Sequence, residues 1–219
     1  MTAPVAAVVF DLDGILIDSE PIWEEVRRDF VTREGGTWYP GSQHPMMGMS
    51  TSEWSGYLST KLQVRLQPSE IDARVIEAMA ERYGSQPPLI EGAAEAVRAL
   101  AARWPLALAS SSPRLLIDRV LASSGLDRLF VFSISTEELK RGKPAPDVYL
   151  RTAARLGLAP GHCVAIEDSV NGVASALAAG MRVIAIPDPR YPLNRSLLKR
   201  VDATLKSIGE LTVAIIAGL

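Results

Sequence analysis

Cysteine, histidine and net charge are all scarce in this chain of 219 residues. Cys163 is the only cysteine, which excludes an internal disulfide. It heads an apolar strand, where a small buried thiol is expected. With His44 and His162 as the only histidines, the chain is poorly equipped for a zinc site. The formal net charge of -2 gives no electrostatic case for nucleic acid. No apolar run is long enough to span a membrane, and Met1-Thr2-Ala3-Pro4 lacks the basic region of a signal peptide. No long apolar surface demands a partner, so a monomer is expected. Together these absences point to a cytoplasmic enzyme with no nucleic-acid or membrane partner. The length suits one large domain, or a core with a small companion.

What is present is a set of apolar strands that end in polar chemistry. Val5-Ala6-Ala7-Val8-Val9-Phe10 runs into Asp11-Leu12-Asp13-Gly14. Alternation puts Asp11 and Asp13 on the same side of an extended backbone. Burying two such charges is costly unless a cation or a reaction uses them. Gly14 lets the chain turn away and gives a ligand room to approach. Ala107-Leu108-Ala109 ends in Ser110-Ser111-Ser112, and Val164-Ala165-Ile166 ends in Glu167-Asp168-Ser169. Gly142-Lys143-Pro144-Ala145-Pro146-Asp147 puts one lysine at the entry to a helix. These groups suit phosphate and a hard cation, and open parallel sheets bind ligands at the C-terminal ends of their strands.

Elsewhere the pattern alternates strand and helix. Val97, Leu100, Ala101 and Trp104 fall at helical spacing within 92–104. Ser112 is expected to cap the next helix, with Pro113 in its first turn and Gly125 at its end. Residues 129–134 read as a strand, and 146–156 as a helix closed by Gly157 with Tyr149, Leu150 and Ala153 inward. Ser169 caps a helix ending near Gly180, and 182–186 is the next strand. Ser207 and Glu210 make a capping box for the last helix. Such alternation predicts an α/β fold, a parallel sheet flanked by helices.

Residues 17–88 break the alternation, with helical stretches over 21–34, after Ser50, and over 69–83. Ser50 and Glu53 form a capping box. The expected organisation is a catalytic core of residues 1–16 and 89–219 with an inserted small helical cap of residues 17–88, joined by linkers at 16–19 and 85–90.

The three strand-end segments and the lysine segment, in chain order, resemble the four motifs of the haloacid-dehalogenase-like (HAD-like) phosphohydrolases, with a Rossmann-like parallel sheet. Asp11-Leu12-Asp13-Gly14-Ile15-Leu16-Ile17-Asp18-Ser19-Glu20-Pro21, followed by Trp23, resembles the branch of sugar phosphatases and β-phosphoglucomutases. The resemblance implies that Asp11 is the nucleophile and forms an aspartyl-phosphate. Asp13 would be the general acid and base, with its carbonyl on the metal. Asp11, Asp13 and Asp168 would bind Mg²⁺, with Glu167 acting through a water; the sequence alone does not rank Glu167 against Asp168. Ser110 would donate to the phosphoryl group beside the Ser111 amide, and Lys143 would bridge nucleophile and phosphate. The amides of Leu12 and Asp13 would complete an anion nest. Ser112 and Arg114 would contact substrate, Arg114 gripping a distal group or lying as a surface arginine. Cap contacts to the substrate would come from Glu20, Trp23, Met47, Gly48 and Thr51.

Asp13 argues against a dehalogenase, which needs no proton donor there, and against a phosphonatase, which uses a cap lysine. Mutases of this branch carry a histidine where Trp23 aligns and a phosphate-binding arginine where Thr51 aligns. The expectation is therefore a Mg²⁺-dependent phosphatase acting on a small-molecule phosphomonoester, a sugar or sugar-alcohol phosphate. A phosphosugar mutase is the alternative. A non-catalytic phospho-ligand sensor is a third reading, disfavoured by the intact Asp11, Asp13, Lys143 and Asp168.

Overall fold

The structure, a computed structural model, describes residues 4–46, 49–84 and 86–219. Its centre is a parallel sheet of β1 (Ala7–Phe10), β2 (Leu106–Ser110), β3 (Phe130–Ser135), β4 (Cys163–Glu167), β5 (Arg182–Ala185) and β6 (Ala203–Thr204). The strand order is β3-β2-β1-β4-β5-β6, every neighbouring pair parallel. This is the α/β architecture the alternation predicted. The chain enters the sheet at β1 and builds outward in both directions, so the order reverses beside β1. Asp11, Ser110 and Glu167 end up at one edge, where such sheets bind ligands.

The period-two pattern of β1 divides the interior into two cores. Val8 and Phe10 face one, with α4 (Ala93–Ala101), α5 (Arg114–Ser124) and Ile216 of α9 (Val213–Ala217). Ala7 and Val9 face the other, with α6 (Asp147–Leu156), α7 (Val170–Ala178) and Leu197 of α8 (Arg195–Leu198). Both strand faces are buried, which is why β1 and β4 are apolar almost throughout.

Residues 20–83 supply α1 (Glu20–Arg33), α2 (Thr51–Thr60) and α3 (Pro68–Tyr83), and none of the described strands lies among them. α1 and α2 pack on α3, and α3 packs on α5. The two connecting segments run side by side: Asp18 N donates to Pro88 O at 2.9 Å and Ile90 N to Leu16 O at 2.9 Å. No described helix is long and apolar enough to cross a membrane.

Local signals decide most element ends. Gly125 and Gly157 take left-handed conformations, with φ of 67° and 72°, and close α5 and α6. Ser169 accepts the Gly172 amide and caps α7, and the Ser50–Glu53 box opens α2. Three expectations need correction. Ser112 does not cap α5: Pro113 holds that position and the Ser112 hydroxyl is used by Asp13. Ser207 and Glu210 bracket only a short 3-10 turn, and Thr212 caps the last helix. Leu150 is exposed, because the buried stripe of α6 runs through Val148, Tyr149, Thr152 and Ala153. The short α8 and β6 carry too few residues to show a period.

Candidate active site

Asp11, Asp13 and Asp168 sit just beyond strands, where a side chain can leave the sheet without breaking the ladder, and Glu167 is the last residue of β4. Asp11 follows β1, and its amide donates to Ile166 O at 3.0 Å. Lys143 arrives from the loop before α6 with its side chain 4% exposed. Its ammonium donates to Asp11 Oδ1 at 2.8 Å, Glu167 Oε1 at 2.6 Å and Ala109 O at 3.0 Å. One cation thus holds the ends of β1, β2 and β4 together. Burial disfavours that charge, but the Asp11 and Glu167 carboxylates outweigh it and raise the lysine pKa.

Glu167 is fully buried. The Tyr149 hydroxyl donates to the same Oε1 at 2.6 Å, and the Asp168 amide donates to Oε2 at 3.2 Å. Burial raises the Tyr149 pKa well above the ordinary value, so the phenol stays a donor. Asp11, Glu167 and Asp168 each offer a carboxylate oxygen, all within 4.8 Å of one another. Burial pushes Asp11 up to about 7, Lys143 pulls it down, and Glu167 and Asp13 add to the rise. Asp168 is pushed well above the carboxylate range by burial and then by Glu167 and Asp11. Hard oxygen donors crowded around one lysine fit a small divalent cation such as Mg²⁺.

Asp13 is held by two hydroxyls: Ser19 Oγ donates to Oδ1 and Ser112 Oγ to Oδ2, both at 2.5 Å. Ser19 lies in the first connecting segment and Ser112 beyond β2, so Asp13 ties the helical insert to the sheet. Gly14, with φ of 76°, leaves space that the Asp168 carboxylate fills. Gly14 itself lines the cavity of the site, as expected of a position where a ligand approaches the backbone.

These groups open onto a cavity of about 480 Å³. Asp11, Asp13, Ser111, Ser112, Lys143 and Asp168 line it from the sheet side, and Glu20 and Trp23 from α1. Leu12, Ser110 and Glu167 are fully buried and do not line it; Ser110 Oγ accepts the Ser112 amide at 2.9 Å. Two further expected residues do not line it either. Arg114 is tied to Ser133 Oγ at 2.7 Å, to Asp118 at 3.2 Å and to Glu138, so the grip on a distal substrate group gives way to the surface-arginine reading. Thr51 donates to Glu137 Oε1 at 2.9 Å, away from the lining. Met47, Gly48 and Ser85 lie outside the described residues.

Sequence reasoning missed Tyr149 as a partner of Glu167, because its spacing marks it only as core. It also missed Arg27, which lines the cavity over Trp23 and Trp54. Its spacing of four from Trp23 and seven from Glu20 was the available signal. Trp54 belongs to the apolar core, and it lines the cavity as well.

A parallel α/β sheet with a lysine-clamped aspartate at its C-terminal edge is a site with the charge to hold a phosphate-like anion. The family model of haloacid dehalogenase-like hydrolases matches residues 5–180, and the chain belongs to that family. It is 35% identical over 228 residues to hexitol phosphatase B of Escherichia coli (strain K12), covering 98% of this chain and 97% of that one. It is 30% identical over 181 residues to a phosphorylated carbohydrates phosphatase of Thermotoga maritima, covering 81% and 83%. A solved HAD family hydrolase from Deinococcus radiodurans R1, with bound phosphate and sodium, is 33% identical, with a TM-score of 0.72 over 99% of this chain and 97% of that one.

Proposed function

We propose that the chain is a Mg²⁺-dependent phosphatase that hydrolyses sugar or sugar-alcohol phosphates through an aspartyl-phosphate on Asp11. In this reading residues 17–88 form the cap over a core of 1–16 and 89–219. The observation that carries it is the Asp11–Lys143 pair at 2.8 Å in a cavity that Asp13 also lines. The phosphatase relatives support the choice of substrate class.

An Asp11 carboxylate oxygen attacks phosphorus, and the bond to the alkoxide leaving group breaks. Asp13 gives that alkoxide its proton. Both Asp13 oxygens accept hydroxyl hydrogen bonds here, so delivery requires Ser19 or Ser112 to release one of them. Asp13, now ionised, takes a proton from water, which attacks the phosphoryl group and frees Asp11. Splitting the displacement in this way replaces one hard step with two easier ones. Lys143 favours the ionised form of the nucleophile against the effect of burial and offsets phosphoryl charge. Asp11 and Asp168 would hold Mg²⁺ with the Asp13 carbonyl, and Glu167, engaged by Lys143 and Tyr149, would act behind them. The ion's contribution is charge neutralisation on the phosphoryl oxygens.

The mutase alternative is weaker. Trp23 puts an indole on the lining where a histidine is needed, and Thr51 is engaged by Glu137. The test is phosphate release from hexose, deoxyhexose, hexitol, glycerol and nucleotide monophosphates, with Mg²⁺ and with EDTA. Metal-dependent release from the sugar and hexitol esters is expected, and Asp11→Asn should abolish it. β-Glucose 1-phosphate, with a trace of bisphosphate, is assayed alongside for glucose 6-phosphate. Isomerisation with little release would make the chain a mutase, and retained hydrolysis by Asp11→Asn would refute the covalent route.

A further inference from the structure

Arg27 is 4% exposed, yet it lines the cavity. A guanidinium taken out of water needs partners. Its carbon lies 4.3 Å from the Trp23 ring centre and 4.9 Å from that of Trp54. The one side-chain hydrogen bond it makes among the described residues is to a neutral group, Gln43 Oε1, at 3.3 Å. It forms no ion pair among them, and its Nε–H is buried without an acceptor. Burial brings its pKa down to about 10, which leaves it charged at neutral pH. Such a cation is costly in a core that could have used leucine, and it is oriented by two indoles. Its unmet donor capacity is what a ligand can use.

The neighbours define which ligand. Gln43 Nε2 donates to Glu20 Oε2 at 2.9 Å, so Arg27, Gln43 and Glu20 form one relay with a donor end and an acceptor end. Glu20, Trp23 and Arg27 share one face of α1, and all line the cavity. A second phosphate or a carboxylate would meet the Glu20 carboxylate as well as the guanidinium. A hydroxyl accepts from the one and donates to the other. We infer that Arg27 and Glu20, bridged by the buried Gln43 behind the cavity wall, form the subsite that recognises the hydroxyls of the leaving group. Arg27 is thus a specificity-determining residue that selects polyol and sugar phosphates. This deepens the proposed function and rests on it for the class of substrate.

The test is equilibrium binding with Mg²⁺ present, in a chain carrying Asp11→Asn so that nothing turns over. Hexitol 6-phosphate and inorganic phosphate are titrated calorimetrically with and without Arg27→Met. The ratio of the two affinities is the readout. Arg27→Met should lower that ratio by about 10- to 100-fold, the scale of a lost charge-assisted hydrogen bond. Equal weakening of both ligands would make Arg27 a structural cation, and an unchanged ratio would remove it from recognition; either overturns the inference. A hexitol bisphosphate that outbinds the monophosphate only when Arg27 is present would overturn it in favour of an anion subsite. Arg27→Lys, which keeps the charge but loses Nε and the fork, should lower the ratio too, and it decides the matter if Arg27→Met fails to fold. Failure of the wild-type chain to release phosphate from any ester would sink the phosphatase reading alone, because the binding ratio does not depend on turnover.

Discussion

At the scale of single residues, the site depends on how a fully buried glutamate is satisfied. Glu167 Oε1 receives both Lys143 and Tyr149, each at 2.6 Å. Tyr149→Phe keeps the ring and its packing but removes one donor from a buried carboxylate. That should cost about 1–3 kcal/mol of stability and weaken Mg²⁺ binding by about tenfold or more. Thermal melts and a Mg²⁺ titration of phosphate release check the two effects separately; an unchanged titration would reduce Tyr149 to packing. Cys163 makes a simpler case. It is fully buried at the start of β4, and burial pushes its thiol up to about 11. A thiol reagent at neutral pH should label it only as fast as the chain opens, with the rate rising through the urea unfolding transition. Fast labelling of the native chain would show that β4 opens locally.

At the scale of elements, glycine placement decides whether the acids can reach their positions. Gly172 lies in the first turn of α7, where a Cβ would overlap the Glu167 carboxylate. Gly172→Ala should therefore displace Glu167 and release its hold on Lys143. Turnover is expected to fall by more than about tenfold with a lowered melting temperature, because overpacking typically costs ~1–3 kcal/mol. The fold itself should survive by circular dichroism. Gly56 is the control, since a Cβ there meets nothing and Gly56→Ala in α2 should be neutral or slightly stabilising. Most element ends were legible because capping is chemistry between near neighbours, as at Ser50, Ser169, Gly125 and Gly157. Ser112 broke that rule for a tertiary reason: Asp13, distant in sequence, competes for its hydroxyl and wins.

At the scale of the whole molecule, the acidic groups gathered from β1 and β4 share Lys143 as their buried cation. Crowding three carboxylates within 4.8 Å opposes folding unless a divalent ion balances them. Mg²⁺ should raise the melting temperature, and EDTA should reverse the gain. At about 100 times its dissociation constant the ion would add ~2.7 kcal/mol. Scanning calorimetry checks this, and no shift at concentrations that support turnover would mean that the ion binds only with substrate.

The sequence by itself determined the alternation that builds the sheet, the helical insert, the placing of acids and hydroxyls at strand ends and that of the lysine before a helix. Those are consequences of period, polarity and local capping, which act over a few residues. Only the tertiary structure decided who meets whom. It gave Glu167 to Tyr149, tied Asp13 to Ser19 and Ser112, and drew Arg114 and Thr51 into surface contacts. It also buried Arg27 against two indoles on the cavity wall. Such pairings depend on how the insert packs against the sheet, and no spacing along the chain encodes the distance between side chains on separate elements.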